Sequence, residues 1–117
     1  MANAKLKVGL IGTGDFGPHF APYVNEVSEL VAVCDPNPAG LANFSKQTGL
    51  KLPEFDHHEK LLDSADLDAV VIASPNFTHK EIAIAAAKRG KHIFCEKAMA
   101  TTTSDCWAMV RACQKAN

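Results

Sequence analysis

The stretch "VGLIGTGDFG", Val8 to Gly17, places Gly12, Gly14 and Gly17 in a G-x-G-x-x-G pattern directly behind a short apolar run. Glycine loses more conformational freedom on folding than any other residue, so three in one short loop need a reason. An ordinary tight turn is one reason. The other is a turn whose backbone comes close to a bound phosphate, which also requires a strand before it and a helix behind it.

Outward from this loop, apolar runs at Leu6 to Ile11, Leu30 to Cys34, Ala69 to Ala73 and His92 to Cys95 are short and mostly apolar at consecutive positions. That pattern predicts strands covered on both faces. A weaker strand candidate lies around Pro53 to Phe55. Helix-like stretches alternate with these runs. In "NPAGLANFSKQTG", Asn37 suits the N-cap, Pro38 the first helical position and Gly49 the C-terminal stop. "DHHE" and "THKE" have the form of capping boxes, pairing Asp56 with Glu59 and Thr78 with Glu81. The second opens the clearest helix, Thr78 to Arg89, in which Ile82, Ala83, Ala86 and Ala87 recur at helical spacing. A last helix covers about Thr103 to Lys115. Pro22 falls inside the helix that the glycine loop opens, which predicts a bend or a shortened first turn. The alternation of strand and helix predicts an α/β fold: a Rossmann-type parallel sheet of about five strands with helices on both faces, as one domain over residues 1–117.

Twelve Lys and Arg against thirteen Asp and Glu leave a formal charge of −1, with no block of like charge. This argues against a nucleic-acid partner and against an anionic membrane surface. The apolar run Val8 to Ile11 is too short for a signal or a span. Cys34, Cys95, Cys106 and Cys113 form no C-x-x-C pair, so free thiols in a reducing compartment, the cytoplasm, are expected. Cys106 and Cys113 are seven apart, which predicts one helix face turned to the core. His57 and His58 are expected on a first helical turn with diverging side chains, suiting neither a metal pair nor a relay. No metal site is expected.

The phosphate reading has a second test, an acidic residue at the end of the next strand. Asp35 stands there, 18 residues after Gly17, near the offset at which a carboxylate hydrogen-bonds the ribose of a dinucleotide. The loop Gly12, Thr13, Gly14, Asp15, Phe16 and Gly17 is then the expected pyrophosphate cradle, at a helix N-terminus that favours an anion. A carboxylate at Asp35 repels the 2′-phosphate of NADP, and no Lys or Arg follows in "DPNPAG". NAD is the expected cofactor, with NADP less favoured. Ligands of open parallel sheets sit beyond the carboxyl ends of the strands, which adds Ser74, Pro75 and Asn76, with His79 behind them, and then Glu96. Lys97 at the last junction is the candidate catalytic group, since an ammonium beside an alcohol or carbonyl oxygen can donate to it and exchange a proton.

"VGLIGTGDFG", "VAVCDPN" and above all "DAVVIASPNFTHKEIAIAAAKRGKHIFCEKA" together resemble the N-terminal half of the glucose-fructose oxidoreductase and inositol dehydrogenase family, Gfo/Idh/MocA. The first two motifs are generic to dinucleotide-binding folds, whereas the third is much more specific. The resemblance implies a nicotinamide-dependent oxidoreductase acting on hydroxyls of a sugar, cyclitol or related small molecule. It also implies that Glu96 and Lys97 lie by the nicotinamide, with Lys97 touching the substrate hydroxyl, and that Ser74, Pro75, Asn76 and His79 line the cofactor. The family usually has Glu-Lys-Pro, and Ala98 stands in the place of that proline, leaving Lys97 a wider choice of backbone conformation.

Family members continue into a second, mainly antiparallel domain that supplies most of the substrate pocket, and the 117 residues contain none of it. The expectation is therefore a cofactor-binding part that is inactive alone and meets a polyol or sugar only together with that domain. A non-catalytic NAD-binding or sensing module is the competing reading, and a Rossmann reductase acting on amino-acid precursors a weaker one. The strand His92 to Cys95 is expected at an unprotected sheet edge, able to pair with a second copy; a monomeric mass at every concentration would contradict that pairing.

Overall fold

The structure, a computed structural model, describes residues 5–14, 16–64 and 66–116. Five strands, β1 (Lys7–Ile11), β2 (Glu29–Cys34), β3 (Glu54–Phe55), β4 (Ala69–Ile72) and β5 (His92–Cys95), form one sheet in the order β3-β2-β1-β4-β5. Every neighbouring pair is parallel. Parallel neighbours need crossover connections, and these are α1 (Phe16–Val27), α2 (Pro38–Thr48), α3 (His58–Ser64) and α4 (His79–Lys88), with α5 (Thr103–Ala116) following β5. The chain builds outward from β1 to β3, then returns to the other side of β1 with β4. The switch point lies between β1 and β4, where their carboxyl ends diverge.

Residues of β4 alternate between two cores, as a period of two requires. Val70 and Ile72 pack with Leu61, Leu62, Ile82, Ala83, Ala86 and Met109 from α3, α4 and α5. Val71 and Ala69 face the other way, with Val8, Leu10, Ala21, Leu41 and Phe44 around α1 and α2. Helices thus cover both faces of the middle strands. β5 departs from the expected double coverage: it is an edge strand whose residues are exposed or half-buried in alternation. Phe94 is 58% exposed, with Phe20 of α1 meeting it in an edge-on arrangement at 6.3 Å between ring centroids.

Local signals hold in some places and yield in others. Asn37 caps α2 by accepting from the Ala39 N–H, Pro38 opens the helix, and Gly49 ends it in the left-handed region at φ 73°. Helix α1 is unbroken from Phe16 to Val27 with Pro22 inside it, so the expected shortening is not found. Neither capping box forms. Asp56 pairs instead with Lys60 at 2.9 Å, and the Glu59 N–H donates to His57 Nδ1. Thr78 closes a 3₁₀ turn, Asn76–Thr78, and its hydroxyl bonds Pro75 O and Ser74 Oγ; a hydroxyl engaged one turn back is not free to cap α4. Cys106 is half-buried and Cys113 exposed, so the buried point of α5 is Met109 rather than the cysteine face. All four cysteines are free, and burial first, then nearby carboxylates, pushes the Cys34 thiol up to about 12.

His57 and His58 do not diverge, because His57 precedes α3 and its ring stacks on that of His58 at 4.4 Å. His58 Nε2 is buried without a hydrogen-bond partner. Burial, then the charge of His57, holds His58 below its ordinary value, against the opposing Glu81 carboxylate. The unfolded chain therefore takes up this proton first, so the neutral ring contributes stability that is present above about pH 6.5 and lost as pH falls below it. The urea midpoint is expected to drop from pH 7.5 to 5.5, and to drop less in His58→Gln; an equal drop in both would contradict this assignment.

Candidate functional site

The three glycines of the opening loop have three different surroundings. Gly12 has φ +105°, and a Cβ there would come within 2.6 Å of the Ala73 carbonyl carbon. The end of β4 passes so close that the position excludes any side chain. At Gly17 a Cβ would overlap the Gly12 carbonyl oxygen, so α1 can sit against the loop only with hydrogen there. Gly14 is different. It is exposed, its φ lies outside the left-handed region, and a Cβ would meet nothing within 4 Å. The fold explains two of the glycines, and the third leaves open space over the loop.

That space is a cleft of about 410 Å³ lined by Gly12, Gly14, Phe16, Ala73, Ser74, Pro75, Asn76, Glu96 and Lys97. It runs across the carboxyl ends of β1, β4 and β5, beside the switch point. The loops that line it are fixed by backbone bonds extending the sheet: the Gly12 N–H donates to Cys34 O, Ala73 N–H to Ile11 O and Glu96 N–H to Ile72 O. Glu96 is half-buried, and its Oε1 accepts from the Lys97 N–H at 2.8 Å. Lys97 is exposed at the cleft, and the Lys97–Ala98 peptide is cis. Asp15 lies outside the described residues.

Asp35 stands at the β2 end, beside the loop. Its Oδ2 accepts from the Thr13 N–H at 2.9 Å and the Thr13 hydroxyl at 2.6 Å, and its Oδ1 accepts from the Asn37 N–H at 2.8 Å. A carboxylate has about four acceptor positions. Three are used to brace the glycine loop against α2, which leaves acceptor capacity on Oδ1 for one hydroxyl donor. Thr13 is 2% exposed, so its side chain serves Asp35 and only its backbone is near the loop surface.

One residue was not found by motif. Gly40 lies within α2, where a Cβ would come within 2.6 Å of Thr13 Oγ1 and 3.3 Å of the Asp35 carboxylate; the helix can pass the Thr13–Asp35 pair only without a side chain there. A glycine in a helix interior costs about 1 kcal/mol relative to alanine, and that cost was the available signal. His79, expected to line the cofactor, is not among the residues that line the cleft. It is 0% exposed, and its Nδ1 and Nε2 lie 2.8 Å from Ala98 O and 2.7 Å from Ser74 O. Both nitrogens are engaged behind the cleft wall.

Cys95, near the Lys97 segment, is held up to about 11 by burial first and the Glu96 carboxylate second, so it offers no thiolate near neutral pH. Among the described residues no group of three or more His, Cys, Asp or Glu is placed to hold a metal ion. No helix among them is long and apolar enough to cross a membrane. A separate apolar groove of about 380 Å³, lined by residues such as Leu6, Phe20, Val27 and Phe94, lies beside α1 and β5 rather than at the glycine loop.

Comparison with known proteins gives a concordant result. The profile of an oxidoreductase family with an NAD-binding Rossmann fold, Gfo/Idh/MocA, matches residues 6–117. The 2,7-anhydro-N-acetylneuraminate hydratase of Escherichia coli is 35% identical over 111 residues, 95% of this chain and 29% of its own length. The inositol 2-dehydrogenase of Salmonella typhimurium is 35% identical over 94% of this chain and 34% of its own. The crystal structure of the WlbA dehydrogenase from Bordetella pertussis in complex with NADH and UDP-GlcNAcA superposes with a TM-score of 0.87 at 34% identity, over 96% of this chain and 35% of that one. The chain spans about a third of the length of these relatives.

Proposed function

Because the chain belongs to the Gfo/Idh/MocA oxidoreductase family, we propose that residues 1–117 are the NAD-binding domain of an oxidoreductase acting on hydroxyls of a sugar, cyclitol or related small molecule. The observation that carries this is the open space over Gly14, inside a cleft that also gathers Ser74, Pro75, Asn76, Glu96 and Lys97. A pyrophosphate fits the loop chemically: the backbone at the start of α1 supplies N–H donors and the positive end of the helix dipole. Asp35 accepts from a ribose hydroxyl and repels a 2′-phosphate, which favours NAD over NADP.

Bound in this cleft, the nicotinamide supplies hydride transfer to or from a carbon bearing the reacting oxygen. Lys97 is the catalytic residue in this reading, donating a hydrogen bond to that oxygen and exchanging its proton. Glu96 holds the backbone of Lys97 in place through the bond at 2.8 Å. Hydride transfer needs a substrate fixed at close range, so the 117 residues are proposed to bind the nucleotide and to turn nothing over alone. The matched third is equally similar to a hydratase and to a dehydrogenase, which supports a net reaction set by the rest of those proteins. Cytoplasmic location and self-pairing through the exposed edge of β5 complete the proposal; a sedimentation mass that never exceeds the monomer would remove the pairing.

Calorimetric titration of the chain with NADH and, separately, NADPH tests the reading. Saturable binding with NADH preferred is expected. Equal affinity for both would remove the role given to Asp35, and no binding of either by the folded chain would overturn the nucleotide site.

A further inference from the structure

His79 touches both walls of the cleft from behind. Ser74, whose carbonyl faces Nε2 at 2.7 Å, lines the cleft on the β4 side. Ala98, whose carbonyl faces Nδ1 at 2.8 Å, directly follows Lys97 on the β5 side. Each wall has its own local bonds. The Thr78 hydroxyl ties Ser74 and Pro75 together, and Glu96 Oε1 takes the Lys97 N–H. The His79 ring lies between the two walls with a nitrogen within hydrogen-bond distance of a carbonyl on each, and the Lys80–Asp105 ion pair at 3.2 Å binds α4 to α5 on either side of the same segment.

Both partners of the ring are carbonyl oxygens, which only accept. A neutral imidazole has one N–H and one lone pair, so it satisfies one carbonyl and turns a lone pair on the other. In either tautomer one carbonyl receives the ring N–H, and removing the ring leaves that buried carbonyl without its donor, which is costly. A residue that merely filled this space would need neither nitrogen.

We propose that His79 is a positioning residue: its ring, donating its N–H to one of Ser74 O and Ala98 O and seated against the other, sets the separation between the Ser74 loop and the Lys97 segment and so the width of the cleft at the Lys97 end. The consequence for nucleotide binding rests on the NAD-site reading, whereas the tether itself does not.

Three substitutions separate the two ends of the tether. Asparagine keeps a donor where Nδ1 stands, glutamine keeps one where Nε2 stands, and phenylalanine keeps only volume. Amide hydrogen exchange in the ligand-free chain reads both walls, through the Thr78 N–H that donates to Pro75 O and the Lys97 N–H that donates to Glu96. Rates are referred to the distant Asp35 N–H bonded to Phe55 O, which lies on neither wall. His79→Phe is expected to speed both at least roughly tenfold. Of His79→Asn and His79→Gln, the one that keeps the donating nitrogen is expected to restore slow exchange and the other to match His79→Phe. Unchanged exchange in His79→Phe, or three indistinguishable variants, would overturn the proposal.

A long-range proton–nitrogen spectrum of the unmodified chain decides even if the variants fail to fold: a ring held in one tautomer with a slowly exchanging N–H is expected, and a ring averaging between tautomers would refute the tether. None of these readouts uses NADH. Failure of the nucleotide reading would show in the titration alone, and failure of the tether in exchange alone.

Discussion

Gly14→Val leaves the chain folded and weakens NADH binding roughly tenfold or more, a loss of about 1.4 kcal/mol at the least. Both halves of this expectation come from the same geometry. Nothing in the protein lies within 4 Å of a Cβ at Gly14, and the backbone there is not left-handed, so a side chain meets no obstacle within the fold. What it does meet is the cleft, which Gly14 lines. A branched side chain there occupies the room through which a pyrophosphate approaches the loop N–H groups, and the close approach is lost. Thermal melting checks the first half and calorimetric titration the second. Wild-type affinity in the variant would mean that no ligand group comes near Gly14.

Gly17→Ala has the opposite profile, a small side chain with a large structural effect. Its Cβ would overlap the Gly12 carbonyl oxygen, which is backbone and cannot swing aside as a flexible side chain could. Helix α1 must then move off the loop, away from the contacts that bury Ala21 among Val8, Leu10 and Leu30. Overpacking of this kind costs about 1–3 kcal/mol, occasionally more, and for a domain of this size lowers the melting temperature by roughly 5–15 °C. Melting curves of Gly17→Ala and Gly14→Val, measured side by side, separate a glycine required by the fold from one required by a ligand. A Gly17→Ala melt equal to wild type would contradict the packing account.

What could be read from the residues follows the range of the physical signal. Strands β1, β2 and β4 declare themselves because burial on both faces makes them continuously apolar, and α2 because Asn37, Pro38 and Gly49 act on their immediate neighbours. The capping boxes failed for the same local reason: Thr78 had a second partner, the Pro75 carbonyl within its own 3₁₀ turn, and Asp56 had Lys60. The expectation for β5 failed because coverage of its outer face depends on how far α1 reaches across the sheet, which no run of four residues records.

The site was legible as a set of junctions, since the carboxyl ends of parallel strands are where a ligand must go. Its internal bracing was not. That Asp35 holds Thr13, that Gly40 makes room for the pair, and that His79 turns from the cofactor to two carbonyls are facts of residues brought together from different elements. Spacing along the chain carries no record of such contacts. The free choice at each position was narrowed only by cost: a glycine inside a helix and a histidine on a buried face each demanded a partner that the fold then supplied.

The central claim is that the cleft at the ends of β1, β4 and β5 is where this chain holds NAD. Amide chemical-shift mapping with added NADH tests it most directly, because it reports where the nucleotide binds as well as whether it does. The predicted result is saturable shifts concentrated at Gly12, Thr13, Gly14, Ser74, Asn76, Glu96 and Lys97, with Asp35 and Asn37 shifted at the ribose end. Shifts centred instead on Leu6, Phe20, Val27 and Phe94, or no shifts in the folded chain, would contradict it.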